Sequence, residues 1–241
     1  DSDLTGNGVN HPNDFGHRVY AQVLASLLLH PDTQYGRPVA AVNPADRPAV
    51  LLMGDSIRLS YTEGVRAGLA DAAQVVSPAA NGGDSSNVRK NLSAWIGDCS
   101  PRFVLINSGI HDTKLFNADQ RFQVPPEEYV ANWKAIFAEL RRTTSAEIVF
   151  VTSTPILDDR AAAARSDRDY HLTNAAIEQY NALAVEVAAD SGVAVLDLNS
   201  ALCQSTAPLG DLLAADGVHL TESGKTLAVK LITDYVQEQL R

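Results

Sequence analysis

A buried strand, a tight turn and a helix start follow one another in the stretch Ala49-Val-Leu-Leu-Met-Gly54-Asp55-Ser56. Five successive apolar residues are typical of a strand that is covered on both faces, and Gly54 ends the run. Apolar residues then continue at helical spacing, which predicts a helix over Ile57–Ala73. A strand that leads through a short turn into a helix is the repeating step of an α/β fold.

The same alternation continues to the end of the chain. Further strands are predicted at Gln74–Ser77, Phe103–Asn107, Ile148–Thr152 and Val193–Leu198. Further helices are predicted at Val88–Ile96, Pro126–Thr143, Leu172–Ser191 and Gly224–Leu240. Continuously apolar strands that alternate with helices indicate a parallel sheet with helices on both faces. The sequence therefore predicts a three-layer α/β/α sandwich around five parallel strands, with reactive groups at the carboxyl ends of the strands.

The first 47 residues follow a different pattern. An amphipathic helix is predicted at Asp14–Leu29, and the segment 31–48 holds four prolines with little periodicity, as in a linker. We therefore expect one α/β domain over residues 48–241, preceded by a helix and a Pro-rich linker over residues 1–47.

Composition limits the classes of partner. The formal net charge of −10 argues against nucleic acid, which requires clustered Lys and Arg. The longest apolar stretches, such as Val23–Leu29, fall far short of the ~20 residues that span a bilayer, so no membrane span is predicted. The chain opens with Asp1 and Asp3 and shows no apolar leader segment, as a processed secreted protein also would. The compartment stays open, with a secreted or periplasmic location favoured.

Two cysteines, Cys99 and Cys203, stand apart from any CxxC pair or His cluster. A thiolate zinc site or a redox motif is therefore not expected, and no metal or cofactor is predicted. Two alternatives remain open for these cysteines: one disulfide bond, or two buried thiols.

Ser56 is the first candidate for chemistry. It follows a buried strand and precedes a helix, where backbone N–H groups are free and the helix dipole favours negative charge. A nucleophilic serine needs both features. The alternative is that Ser56 only caps the helix, as serines often do.

A second candidate lies near the C-terminus, in Asp216-Gly-Val-His219. An acid three residues before a histidine can orient the imidazole through Nδ1 and leave Nε2 free. A serine hydroxyl needs such a base, because it is almost fully protonated at pH 7. The two motifs together favour nucleophilic catalysis by Ser56 over a structural role.

Three motifs together resemble the SGNH/GDSL hydrolases in order and spacing: Gly54-Asp55-Ser56, Asn107-Ser-Gly-Ile-His111-Asp112 and Asp216-Gly-Val-His219. The resemblance covers Ala49 to Arg241. It implies a flavodoxin-like three-layer fold that hosts esterases, lipases, thioesterases and carbohydrate deacetylases. It also implies a Ser-His-Asp triad, carried here by Ser56, His219 and Asp216.

The resemblance further implies an oxyanion hole formed by the N–H of Ser56, the N–H of Gly83 and a side chain of the motif Asn107–Asp112. Gly82 is the alternative glycine. The family's asparagine is replaced by His111, as in a subgroup with Gly-x-His-Asp, which Pro78-Ala-Ala-Asn-Gly82 also fits. We interpret His111 as a donor that replaces asparagine, since a neutral imidazole donates one hydrogen bond. A rival interpretation has His111 titrate near pH 6.5. Asp112 is expected to hold its loop.

The segment Asn10-His11-Pro-Asn-Asp-Phe-Gly16-His17 resembles the last motif of another SGNH domain, with Gly8 where its acid should stand. We interpret residues 1–47 as the tail of a preceding SGNH domain. Two alternatives stay open: a native helix packed on the core, or His11 reaching into an active site.

Other polar residues have structural interpretations. The acidic residues Asp158, Asp159, Asp167 and Asp169 lack metal-ligand spacing, so a solvated loop at the edge of the pocket is expected. Tyr180 and Asn181 are expected to pack. Arg58 and Arg89 are expected at the surface or in contact with a polar substrate.

The predicted function is hydrolysis of a small-molecule or carbohydrate ester by a serine esterase. Only 6% of the residues are aromatic and no broad apolar lid is present, which favours short acyl groups such as acetyl on a carbohydrate. The alternatives are a non-catalytic scaffold that kept the fold, and an acyltransferase that uses the same triad. The residues that bind the rest of the substrate are not predicted.

Overall fold

The computed structural model describes residues 47–241, and within them strands and helices alternate. The strands are β1 (Ala49–Met53), β2 (Gln74–Val76), β3 (Pro101–Ile106), β4 (Leu115–Phe116), β5 (Glu147–Val151), β6 (Tyr170–His171) and β7 (Ala194–Leu196). The helices are α1 (Ser56–Gly68), α2 (Ser85–Ile96), α3 (Pro126–Thr143), α4 (Asp158–Ala164), α5 (Asn174–Asp190), α6 (Leu198–Cys203), α7 (Leu209–Leu212) and α8 (Glu222–Gln239). The predicted helix at Asp14–Leu29, the linker and the His11 segment lie outside the described residues.

Five strands form one parallel sheet, as predicted, and their order is β2-β1-β3-β5-β7. From β1 the chain first adds β2 on one side, then crosses to place β3 on the other side. Such a reversal opens a crevice beyond the carboxyl ends of the two central strands. The loop after β1 carries Gly54–Ser56 and the loop after β3 carries Asn107–Asp112, so the sheet order brings both motifs to that crevice.

Alternate residues of β1 face opposite layers, which makes both faces of the sheet apolar. Val50 and Leu52 join a core formed with α1 and α8, where Ile232 is fully buried. Leu51 and Met53 join a second core formed with α2, α3 and α5. The three-layer α/β/α sandwich is therefore confirmed.

Two predicted elements extend more than one residue past the observed C-terminal end. The reason is that apolar residues mark buried positions, whether or not those positions belong to the helix or strand. Helix α1 ends at Gly68 instead of Ala73, although Leu69 and Ala73 remain buried in the turn that follows. Strand β7 ends at Leu196 because the side chain of Asp197 accepts the N–H of Ser200 and caps α6.

Among the described residues the short helices α4, α6 and α7 were not predicted from the sequence. Nor was a two-stranded antiparallel sheet of β4 and β6 outside the main sheet. Leu115 pairs with His171 and Phe116 with Tyr170, and the rings of Phe116 and Tyr170 lie edge to face with centroids 6.4 Å apart. Strands of two residues are too short to show an alternating pattern. This small sheet joins the loop after β3 to the segment after α4.

The cysteines do not pair. Cys99 is half-buried and Cys203 is exposed, and both are free thiols. The disulfide alternative is therefore wrong, and the alternative of two buried thiols is wrong for Cys203. Among the described residues, none of the helices combines the length and the apolar character needed to cross a membrane.

Candidate active site

Ser56 is the first residue of α1, at the carboxyl end of β1. The residue that caps α1 is Asp55, whose Oδ1 accepts the N–H of Ile57 at 2.9 Å. Asp55 is fully buried, and burial raises the pKa of its carboxyl group against the opposing effect of that hydrogen bond. Because Asp55 is the cap, the interpretation of Ser56 as a helix cap is wrong, and its hydroxyl remains available for other contacts.

Glycine at position 54 is required by the close approach of two motifs. Its φ of 154° is rare for residues with a side chain, and a Cβ there would lie 1.8 Å from Oδ1 of Asn107. The backbone joins them as well, since the N–H of Asn107 donates to the carbonyl of Met53. The turn before Ser56 is thereby held directly against the loop after β3.

Ser56 and His219 meet although 163 positions separate them. Oγ of Ser56 lies 3.0 Å from Nε2 of His219, and Nδ1 of His219 lies 2.5 Å from Oδ2 of Asp216. The other oxygen of Asp216 accepts the N–H groups of Val218 and His219, each at 3.0 Å. Burial alone would raise the pKa of Asp216, but these hydrogen bonds, led by that of the His219 side chain, lower it overall. The carboxylate is therefore ionised at pH 7.

Helix α4 holds the turn that carries Asp216. The guanidinium of Arg160 donates to the carbonyls of Gly210 and Leu213 at 2.8 and 2.9 Å. Arg165 donates to the carbonyl of Asp216 at 3.0 Å, and its Nη2 lies 4.0 Å from Oδ2 of the same residue. Neither arginine was singled out in the sequence, because no local pattern shows which distant carbonyls a guanidinium will reach.

Arg58 is a structural residue and not a substrate contact. Its side chain is 1% exposed and donates to Oγ of Ser77 and to three carbonyls, those of Gly54, Pro78 and Ala80. The guanidinium thus joins the turn before Ser56 to the loop after β2. The prediction of a surface or substrate-binding arginine is wrong for this residue.

The other arginine of that prediction, Arg89, is exposed, as expected of a surface arginine. Its Nη1 donates to Oδ1 of Asn132 at 3.3 Å.

The packing predicted for two residues of α5 is observed. The hydroxyl of Tyr180 donates to the carbonyl of Val124, and Asn181 bonds both backbone groups of Ser153.

Replacing Arg58 with Met is expected to lower the free energy of unfolding by roughly 3 kcal/mol, because three backbone carbonyls lose their donor in a buried setting. We also expect kcat/KM for an acetate ester to fall about tenfold or more, since the loops around Ser56 are no longer joined. Arg66→Met is the control, because Arg66 lies on the same helix and its side chain is 42% exposed. Urea unfolding and initial rates would measure both effects. Equal stability of the two variants would refute the structural role.

The glycines after β2 differ in what their N–H groups contact. The N–H of Gly82 donates to the carbonyl of Gly54 at 2.9 Å and is committed to the backbone. The N–H of Gly83 donates to the side-chain oxygen of Asn81 at 2.9 Å, in an exposed position. Gly83 also has a φ of 61°. Of the two glycines, Gly83 is the one whose N–H could exchange its present acceptor, the side chain of Asn81, for a substrate oxygen.

His111 lines the same pocket as Ser56. Burial, together with the positive charge of Lys114, lowers the pKa of His111 to about 4. The imidazole is therefore neutral at pH 7, with one N–H to donate. This pKa speaks against the interpretation in which His111 titrates near pH 6.5.

Asp112 is fully buried and holds the loops together. Its Oδ1 accepts the N–H of Ser85 at 2.9 Å, and its Oδ2 accepts the hydroxyl of Ser108 at 2.8 Å. Burial raises the pKa of Asp112 to about 7 despite these bonds. The residue bonds one backbone N–H, as expected, and adds a hydroxyl from its own loop.

The candidate groups meet in a pocket of about 270 Å³. Ser56, His111 and His219 line it, and Asp216 stands behind His219; Gly83 is not part of the lining. Several lining residues were not predicted from the sequence, and four of them flank or belong to β4, β6 and α4. Within residues 47–241 the lining comprises Ser56, Asn81, Ile110, His111, Lys114, Arg165, Tyr170, Leu172, Val218 and His219.

The acidic residues around α4 do not line this pocket. Asp158 and Asp159 border a separate hollow of about 440 Å³, while Asp167 and Asp169 are exposed. Within residues 47–241, no three His, Cys, Asp or Glu side chains gather closely enough to hold a metal ion. The prediction of a solvated loop at the edge of the pocket is wrong for Asp158 and Asp159, which form the first turn of α4, and holds only for the exposed turn with Asp167 and Asp169.

The comparisons with known protein families and relatives define the class of protein, a carboxylic ester hydrolase. Within that class the chain belongs to the GDSL-like lipase/acylhydrolase family, whose model matches residues 52–227. The match runs from β1 into α8 and includes all three motifs. The resemblance to SGNH/GDSL hydrolases is therefore confirmed at the level of the family.

Two named relatives share moderate identity with the chain. The isoamyl acetate-hydrolyzing esterase 1 homolog of Bos taurus is 28% identical over 216 residues, which cover 84% of this chain and 86% of the relative. The corresponding protein of Homo sapiens is 29% identical over 195 residues, which cover 73% and 76%.

Solved structures of low identity share the fold. A lipase/acylhydrolase from Enterococcus faecalis superposes with a TM-score of 0.65 at 21% identity, covering 80% of this chain and 97% of that one. The acetylxylan esterase Axe2 from Geobacillus stearothermophilus superposes with a TM-score of 0.60 at 18% identity, covering 78% and 93%. These likenesses support the α/β architecture.

Proposed function

We propose that this chain is a serine esterase that removes acetyl and similarly short acyl groups from an esterified carbohydrate. One observation carries the proposal, the line of contacts from Oγ of Ser56 through His219 to Asp216, at 3.0 and 2.5 Å. Both distances lie within the hydrogen-bond reach that a nucleophile, its base and the residue orienting the base require.

In the proposed reaction His219 takes the proton of Ser56 through Nε2 while Oγ attacks the acyl carbon. Asp216 accepts Nδ1–H, which keeps the imidazole in the right tautomer and stabilises it once it is charged. The alcohol leaves with the proton from Nε2, and an acyl group remains on Oγ. Water, activated by the same histidine, then releases the acid and restores Ser56.

The oxyanion of the tetrahedral intermediate is proposed to accept three hydrogen bonds. Two come from the N–H groups of Ser56 and Gly83, and the third comes from the neutral imidazole of His111. The N–H of Gly83 would exchange the side-chain oxygen of Asn81 for the substrate oxygen. Donors already in place for the charge that develops are the largest single contribution in many such enzymes.

Pocket size supports a short acyl group. A volume of about 270 Å³ lies just below the roughly 300–1,000 Å³ that is typical of sites for drug-sized ligands. The relatives agree with this size, since one is named for hydrolysis of isoamyl acetate and a structural neighbour is named an acetylxylan esterase. Both names refer to acetyl esters.

A fluorophosphonate probe tests the proposed nucleophile directly. We expect a single covalent adduct on the peptide that contains Ser56, together with release of p-nitrophenol from p-nitrophenyl acetate above background. A protein that is neither labelled nor active would instead be a scaffold that kept the fold. Labelling with transfer of the acyl group to a sugar hydroxyl, detected by mass spectrometry of the products, would identify an acyltransferase.

Replacing His111 separates a hydrogen-bond donor from a titrating group. Asn at this position keeps one N–H donor, so His111→Asn is expected to retain at least about a tenth of kcat, whereas His111→Ala is expected to lose about 10²-fold. Because the pKa of His111 is about 4, the imidazole stays neutral between pH 6 and 9. The pH profile of His111→Asn should therefore keep its shape in that range. An inactive but folded His111→Asn protein would contradict the donor role.

A further inference from the structure

The pocket around Ser56 carries positive charge on a negatively charged protein. The net charge of the chain is −10, yet the side chains of residues 47–241 that line this pocket include Lys114 and Arg165 and no carboxylate. A cleft lined by one sign of charge raises the local concentration of ligands of the opposite sign. The two side chains differ, however, in whether their charged groups already bind protein carbonyls or carboxylates.

Arg165 is committed to the protein. Its Nη1 donates to the carbonyls of Asp216 and Ala161, its Nη2 lies 4.0 Å from the carboxylate of Asp216, and its side chain is 12% exposed. These contacts leave it as a support for the turn that carries His219. The charge available to a ligand is therefore that of Lys114.

The ammonium group of Lys114 has no carboxylate within 4.0 Å among residues 47–241, and no hydrogen bond from its Nζ is found there. It lies 5.1 Å from the centroid of the Tyr170 ring, a cation–π contact that orients the side chain along the pocket wall. Its backbone is held too, since the carbonyl of Lys114 accepts the N–H of Gln123 at 2.8 Å. The ammonium group is thus held in one orientation, and no carboxylate among residues 47–241 pairs with it.

Lys114 is also close to the reacting groups. It lies one turn beyond His111, to whose carbonyl its N–H donates at 3.4 Å, and its charge is felt at the His111 imidazole. The wall beside it is β4 and β6, which contribute Tyr170 to the same pocket. A substrate bound to Ser56 would therefore meet this ammonium group within the pocket.

We propose that the preferred substrates are esters whose alcohol part carries a carboxylate, such as an acetylated sugar acid, and that Lys114 binds this anion. The inference rests on the proposed function. An acetyl group carries no charged substituent, so an anion that Lys114 binds must belong to the alcohol part of the ester. Lys114 is a specificity-determining residue in this scheme, and it takes no part in bond making or breaking.

The test compares two esters of nearly equal size, 4-acetoxybenzoate and its neutral counterpart 4-acetoxybenzamide. For each ester, kcat/KM is divided by the uncatalysed hydrolysis rate of that ester. We expect this corrected value to be about tenfold higher for the benzoate in the intact enzyme, because one partly screened ion pair contributes an effect of that size. The preference should appear in KM and weaken at 0.5 M NaCl. In Lys114→Gln it should vanish, and in Lys114→Arg, which keeps the charge, it should persist.

Lys134→Gln is the matched control, because it removes the same charge from an exposed position on α3. It should keep the preference of the intact enzyme. The inference is overturned if the intact enzyme hydrolyses both esters through Ser56 without preference, or if Lys114→Gln keeps the preference; the proposed function stands in either case. If neither ester is hydrolysed and the fluorophosphonate labels nothing, both proposals fall.

Discussion

Ser56→Ala is expected to reduce kcat/KM for p-nitrophenyl acetate about 10⁴-fold or more. The reason is that the acyl-enzyme cannot form without the hydroxyl, and water activated by His219 is a much poorer substitute for a positioned nucleophile. Oγ contacts only His219 among the described side chains, so its loss should leave the fold intact. Initial rates at pH 7 to 8, with thermal unfolding as a check on folding, measure the effect.

Ser93→Ala is the control for that experiment, since Ser93 is exposed on α2. It should retain the full rate. Equal activity of Ser56→Ala and the intact protein would mean that another group is the nucleophile. That result would leave the family assignment untouched and would remove the proposed mechanism.

Asp216→Asn should lower kcat by about 10⁴-fold with little change in KM, the size of loss known for the corresponding change in a serine protease triad. The amide can still accept the N–H groups of Val218 and His219 through its oxygen, so the turn should survive. Its NH₂ group, however, would face Nδ1 and favour the tautomer that places a proton on Nε2. His219 would then be unable to take the proton of Ser56.

Asp211→Asn provides the matched comparison, because Asp211 is an exposed acid in the neighbouring helix α7. Full activity is expected of it. Stopped-flow measurement of acyl-enzyme formation would show where Asp216→Asn fails. A loss smaller than about tenfold would limit Asp216 to holding the turn and would exclude it as the partner of His219 in catalysis.

The order of strands and helices could be predicted because the strands are buried on both faces. Such strands give continuous apolar runs, as in Val50–Met53, and their helices give periodic ones, as in Pro126–Thr143, whose bounds agree with α3. The ends of the helices and strands were less predictable. Residues such as Leu69 and Leu198 are buried just beyond the neighbouring element, so their apolar character extended the predicted helix and strand.

The candidate site was predictable to the extent that it depends on local motifs. Asp216 and His219 lie within one turn, and Ser56 lies at a strand end, so their types and spacing appear in the sequence. The contacts that support them are not local. Arg58 bonds carbonyls about twenty positions away, and Arg160 bonds carbonyls about fifty positions away, at distances set only by the packed fold.

The pocket wall was missed for the same reason. Lys114 and Tyr170 come from separate connections, and only the pairing of β4 with β6 brings their side chains together. Nothing in either segment marks a pocket, because a two-residue strand has no detectable period and a single lysine is common on surfaces. Specificity is therefore harder to predict from one sequence than the reaction itself.

The small sheet of β4 and β6 adds no strand to the five-stranded sheet. The residues proposed to select a substrate thus lie on two connecting segments, while those proposed for catalysis are held by β1, α1 and the turn before α8. Insertions or exchanges in the two segments can accumulate without changing the strand order of the five-stranded sheet. During divergence from a common ancestor, such a protein can acquire new substrates by changing these segments while its reaction stays the same.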